Sequence, residues 1–82
     1  MFTPEQCRAA RALLGWSQQD LANQARVGIV TVNQLENGLS RPRPATLDVI
    51  QRALESAGVE FIDENGSGPG VRFRRPTSKR TK

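Results

Sequence analysis

The chain has 82 residues, room for one domain with one modest core. A hydrophobic fraction of 37% and a charged fraction of 24% are not those of a disordered chain, and no apolar run approaches the ~20 residues of a membrane span. With no histidine and one cysteine, a His/Cys metal site, an internal disulfide and a nucleophile–histidine pair are excluded, so neither a cofactor nor an enzymatic activity is expected.

The formal net charge of +4 is unevenly spread. Residues 1–58 carry six basic and five acidic side chains, residues 59–71 carry three acidic ones, and residues 72–82 carry six basic ones and no acidic ones. The body is therefore close to neutral and the excess sits in the last eleven residues. That basic segment has two readings: a solubilising end, or an arm that meets phosphate.

The first helix signal is Thr3, a capping residue, followed by Pro4 at a position suited to proline and Gln6 to complete a capping box. Cys7, Ala10, Leu13 and Leu14 recur at helical spacing, and Gly15 ends the helix. Ser17 opens a short second helix, with Asp20 in the reciprocal capping position and Leu21, Ala22 and Ala25 as its apolar face. Trp16 is expected to pack against the second or fourth helix. A third helix begins near Gly28 and runs through Leu35 to Asn37, with Val32 and Leu35 inward and Gly38 at a left-handed C-terminal position. Arg41-Pro42-Arg43-Pro44 reads as an extended linker. The fourth helix, from about Ala45 to Ala57, carries the stripe Leu47, Ile50, Leu54 and Ala57 and stops at Gly58.

Beyond Gly58 the pattern changes. Val59-Glu60-Phe61-Ile62 reads as a short strand, Asn65-Gly66 as a turn signal, and Val71-Arg72-Phe73-Arg74 as a half-buried strand. Two strands alone are barely stable, so a hairpin here must pack on the helices or on a second subunit. Gly66 to Gly70 lacks the lysine and following helix of a phosphate loop. Residues 76–82 hold no core former and are expected to be disordered. The expected architecture is all-α: a compact four-helix domain over residues 1–58, a β-hairpin extension over 59–75 that is a candidate dimerisation element, and the basic tail.

Counted from Gln18, apolar residues fall at the fourth, eighth, tenth, fifteenth and eighteenth places: Leu21, Ala25, Val27, Val32 and Leu35. Ala22 is the small residue where two helices approach closely. This spacing buries one face of each helix in a helix-turn-helix and frees the outer face of the second for the major groove. The stretch QQDLANQARVGIVTVNQLENG, with GWS before it and SRPRP after it, resembles the Xre-type helix-turn-helix of phage repressors and small bacterial regulators, over roughly residues 4–58. VEFIDENGSGPGVRFR resembles the ends of many small members.

The resemblance implies a sequence-specific regulator of transcription, expected to be a repressor acting as a homodimer on a two-fold operator. It implies base contacts by Ile29, Val30, Asn33 and Gln34, with Gln34 placed to pair bidentately with adenine. It implies backbone contacts by Ser17, Gln18, Thr31, Asn37, Ser40, Arg41 and Arg43. Arg11 and Glu36 match a structural ion pair between the first and third helices. The chain departs from the pattern twice. Arg26 stands where glycine is common, at a left-handed cost of about 1 kcal/mol. Ile29 and Val30 stand where polar residues are usual, and either meet thymine methyl groups or form a protein contact. Two alternatives follow: an antitoxin or partner-controlled regulator that binds a small protein through Val59–Arg74, and an interaction module that has lost DNA binding. The lack of a signal-peptide pattern leads to an expected cytoplasmic location, on the nucleoid when DNA is bound.

Overall fold

The computed structural model describes residues 2–63 and 66–74; Asn65 of the expected turn and the expected disordered segment 76–82 lie outside them. Four helices are followed by a hairpin: α1 (Pro4–Leu14), α2 (Gln18–Ala25), α3 (Ile29–Glu36), α4 (Pro44–Ser56), β1 (Val59–Ile62) and β2 (Gly70–Phe73). Local chemistry sets the helix ends. Both α1 and α2 begin with a complete capping box, Thr3 with Gln6 and Ser17 with Asp20.

The first three helices end alike. Trp16 N–H donates to Arg11 O, Val27 N–H to Ala22 O, and Leu39 N–H to Gln34 O, closing α1, α2 and α3 with the same six-to-one hydrogen bond. The residue that reverses the chain is left-handed each time: Gly15 at φ 69°, Arg26 at φ 60° and Gly38 at φ 70°. Arg26 thus adopts the conformation expected from its place in the motif. Pro44 belongs to α4 rather than to the linker before it, because proline's fixed φ suits the first helical position.

One buried cluster joins all six elements. It contains Phe2, Cys7, Ala10, Leu21, Ala22, Ala25, Val32, Leu35, Leu47, Ile50, Leu54 and Val59, with Leu14, Trp16, Val27, Ala53, Phe61 and Val71 packed against it. Three apolar expectations fail. Leu13 is exposed: the inward stripe of α1 runs Cys7, Ala10, Leu14, and a residue six after Cys7 points well off that line. Ala57 is exposed because α4 ends at Ser56 and Ala53 packs instead. Phe73, the last residue of β2, is 43% exposed.

The hairpin is antiparallel, with Val59 opposite Phe73, Glu60 opposite Arg72, Phe61 opposite Val71 and Ile62 opposite Gly70. It lies on α1 and α4. Val59 is fully buried, and the Phe61 ring meets Phe2 with centroids 5.3 Å apart. The buried Gln6 side chain anchors it: Nε2 donates to Ile62 O at 3.1 Å and to Gly70 O at 2.9 Å, while Oε1 accepts from Thr3 N–H. One glutamine therefore caps α1 and satisfies a carbonyl on each strand. Among the described residues, no helix is long and apolar enough to cross a membrane.

Gln6→Ala is expected to destabilise the fold by about 1–3 kcal/mol, because it leaves partly buried carbonyls without a donor. Urea denaturation measures the loss, and amide exchange is expected to rise first in β2.

Candidate nucleic-acid interface

A helix as short as α3 is held by its neighbours rather than by its own propensity. Gly28, at its N-terminus, offers no side-chain cap. Val32 and Leu35 fix one side in the core. Glu36, 1% exposed, fixes the C-terminal end. Its carboxylate receives Arg11 Nε at 2.7 Å on Oε2 and Arg11 Nη2 at 2.8 Å on Oε1. Gln18 Nε2 donates to Oε1 at 3.1 Å and Cys7 Sγ to Oε2 at 3.2 Å. Arg11 Nη1 also donates to Trp16 O, and Arg8 Nη1 donates to the backbone oxygen of Glu36. One buried carboxylate thus ties together α1, the start of α2 and the end of α3.

The electrostatics follow from this geometry. Burial by itself raises the Glu36 pKa, but the hydrogen bonds from Arg11, Gln18 and Cys7, with the charge of Arg11, outweigh it and hold the carboxyl below its ordinary value. Hydrogen bonding to Glu36 raises the Arg11 pKa against the opposing effect of burial. Burial pushes the Cys7 thiol up, and its bond to Glu36 adds to that, so this cysteine stays protonated as a small core donor.

With Val32, Leu35 and Glu36 inward, Ile29, Val30, Asn33, Gln34 and Asn37 are left exposed on the outer side of α3, and Thr31 is half-buried. Ile29 is 40% and Val30 63% exposed. The face carries no formal charge, since the one ionisable side chain of α3 is the paired Glu36. Its amides are not loose. Asn33 Nδ2 donates to Gln18 Oε1 at 3.4 Å, and Asn33 Oδ1 accepts from Asn37 Nδ2 at 3.3 Å. Gln34 Oε1 accepts from Ser40 Oγ at 3.5 Å.

Ser17 is exposed and Gln18 half-buried at the start of α2. The Ser17 hydroxyl is occupied as the cap of that helix. Ser40, Arg41 and Arg43 are exposed in the segment between α3 and α4. A shallow groove lined by Val27, Thr31, Gln34, Ser40, Arg43 and Thr46 joins α3 to that segment. The structure therefore brings Gln34, Thr31, Ser40 and Arg43 to one place, and Gln18, Asn33 and Asn37 to another. Three contributors are missing from the sequence reading. Arg8 lies one turn before Arg11, a spacing that signals a shared face. Cys7 lies four before it but reads as an apolar core residue. Thr46 carries no signal at all. Among the described residues, no group of three potential metal ligands is close enough to hold an ion.

A family model described as Helix-turn-helix, the Xre- and Cro-like kind, matches residues 8–61, which covers the four helices from the middle of α1 onward and most of β1. No curated protein matches the chain.

Breaking the ion pair on one side is expected to cost about 3–5 kcal/mol, whereas replacing both partners with apolar residues costs far less. Glu36→Gln should therefore lose much of the stability in urea denaturation, and the Arg11→Met, Glu36→Leu double variant should recover most of it. Because the folded carboxyl pKa is lowered, its stabilisation is complete above the unfolded value of ~4.3 and is lost as pH falls through the folded value. The acid limb of stability against pH should be flatter in the double variant.

Proposed function

Because the chain belongs to the helix-turn-helix family of DNA-binding regulators, we propose that it reads a specific double-stranded sequence by laying α3 in the major groove. The observation that carries this reading is the outer face of α3. It presents amides and apolar side chains on a helix whose other side is anchored by Val32, Leu35 and Glu36. A B-form major groove about 12 Å wide admits such a helix.

In this reading Ile29, Val30, Asn33 and Gln34 face the base edges. Ile29 and Val30 suit thymine methyl groups, and Gln34 keeps its Nε2 to donate while its oxygen accepts. Ser17, Gln18, Thr31, Asn37, Ser40, Arg41 and Arg43 face the backbone. Gln18 reaches phosphate through its backbone N–H and its remaining amide hydrogen, because one hydrogen is committed to Glu36. With a neutral reading face, affinity rests on the flanking Arg41 and Arg43, and the basic residues of the tail are candidates to add to it.

One such module offers a small contact, so specificity calls for two. A homodimer on a two-fold operator supplies them, with half-sites about 34 Å apart, and occupancy of such a site suits a repressor. The exposed apolar side chain of Phe73 in β2 supports the hairpin side as the dimer surface, and the exposed Leu13 of α1 adds an apolar group on the helix that the hairpin packs against. The same side chains favour the second reading, in which a small protein partner binds there and controls the regulator.

Selection from a random duplex library, followed by binding across a salt series, tests the proposal. Affinity is expected to fall steeply with salt, and Arg41→Ala with Arg43→Ala to reduce the log–log slope by about 2. Gln34→Ala is expected to weaken discrimination at one base pair by about 1–3 kcal/mol. Salt-independent binding, or a sequence preference untouched by Gln34→Ala, contradicts the assigned roles.

A further inference from the structure

The turn between α2 and α3 carries a backbone cost that the other two reversals avoid. Gly15 and Gly38 reverse the chain after α1 and α3, whereas Arg26, at φ 60°, does so after α2 and is the one non-glycine residue with positive φ among the described residues. That conformation crowds a Cβ and is free for glycine. A guanidinium bonded within the fold would account for an arginine at this place. Arg26 is exposed, and among the described residues its side chain has no hydrogen bond or ion pair. The fold bears the strain and holds no internal partner for the charge.

The surroundings of Arg26 supply the rest of a surface. A shallow groove between the end of α2 and α4 is lined by Ala25, Arg26, Val49, Arg52, Ala53 and Ser56. Val49 is 40% exposed there and Ala53 is half-buried, so the groove offers an apolar strip. Arg52 on the rim is bound to Asp48 at 2.8 Å and brings no net charge. Arg26 is therefore the unpaired charge of the groove among the described residues. Ala53 is seven residues beyond Thr46, about 10 Å along the axis of α4. The groove is thus displaced from the one that Thr46 shares with Gln34 and Arg43. We propose that it docks an acidic amphipathic helix of a partner protein, with a carboxylate on Arg26 and an apolar side chain on Val49 and Ala53. The arginine fork takes a carboxylate by two parallel hydrogen bonds. A helix that carries an acidic residue three or four positions from a leucine or methionine presents both groups on one face. A DNA backbone would use the cation but not the apolar strip. Two-fold pairing of the groove with that of a second copy would set Arg26 against Arg26. The inference stands apart from how α3 meets DNA.

The probe is a displayed library of random peptides, selected on the full-length protein with nonspecific duplex DNA in excess to occupy other basic groups. Selected peptides are then titrated against wild type, Arg26→Gly, Arg26→Lys and Val49→Ser. Arg26→Gly removes the side chain and relieves the backbone, so its urea midpoint is expected to match or exceed that of wild type. The selected peptides are expected to pair an acidic residue with an apolar one a helical turn away. Their affinity is expected to fall about tenfold or more in Arg26→Gly, and by less in Arg26→Lys, which lacks the fork, and in Val49→Ser. Backbone amide resonances of Ala25, Arg26, Val49 and Ala53 are expected to shift on titration. Duplex affinity and its salt dependence are expected to be the same in Arg26→Gly as in wild type. Peptides that bind Arg26→Gly as tightly as wild type overturn the proposal, because they sit on other basic groups, and so does a selection without the acidic–apolar pattern. A log–log salt slope lowered by about 1 in Arg26→Gly assigns Arg26 to phosphate and overturns it. A changed oligomeric state in sedimentation assigns the groove to a second copy and overturns it. A lowered urea midpoint in Arg26→Gly gives the side chain a structural role and overturns it as well.

Discussion

A carboxylate carried into a protein interior loses its water and must recover that energy from charge and hydrogen bonds. Glu36 recovers it from Arg11, Gln18 and Cys7, which come from the first two helices. The angle at which α3 leaves the core depends on this arrangement, because a shift of the helix breaks several charge-assisted bonds at once. The apolar side chains Val32 and Leu35 provide adhesion without direction. The ion pair provides direction, since Arg11 grips both carboxylate oxygens with a planar, two-point geometry.

The same economy of partners holds the hairpin. A two-stranded sheet is marginal by itself. Here Val59 enters the helical core, Phe61 packs at a tilt against Phe2, and Gln6 satisfies a carbonyl from each strand. The hairpin is thereby part of the structure that positions α1, and α1 in turn carries Arg11. The outer-face helix α3 and the C-terminal strands are thus both tied to α1.

The uncharged outer face of α3 has a physical consequence. Charged side chains there would add affinity for any duplex, whereas amides and aliphatic groups add little until the bases match. In the proposed reading, placing Arg41 and Arg43 beside the helix rather than on it separates attraction to the backbone from reading of the sequence.

The sequence by itself determined the elements. Capping pairs three residues apart, reversals at Gly15, Arg26 and Gly38, and the apolar spacing from Leu21 to Leu35 are local patterns, and each is set by backbone chemistry within a turn or two. They also marked the outer face of α3, while the pairing of Arg11 with Glu36 came from the family resemblance and is present in the structure. What only the tertiary structure decided is how distant residues meet. Gln6 and Gly70 are 64 positions apart, and Gln18 and Asn33 are 15 apart across a turn. No periodicity encodes such meetings. The exposure of Phe73 and the capture of Gln18 between Glu36 and Asn33 depend on where neighbouring elements end and how closely they approach. The helix-turn-helix was legible because its signal is local, while the hydrogen bonding of the amides on its outer face was not, because it involves a carboxylate buried between three helices.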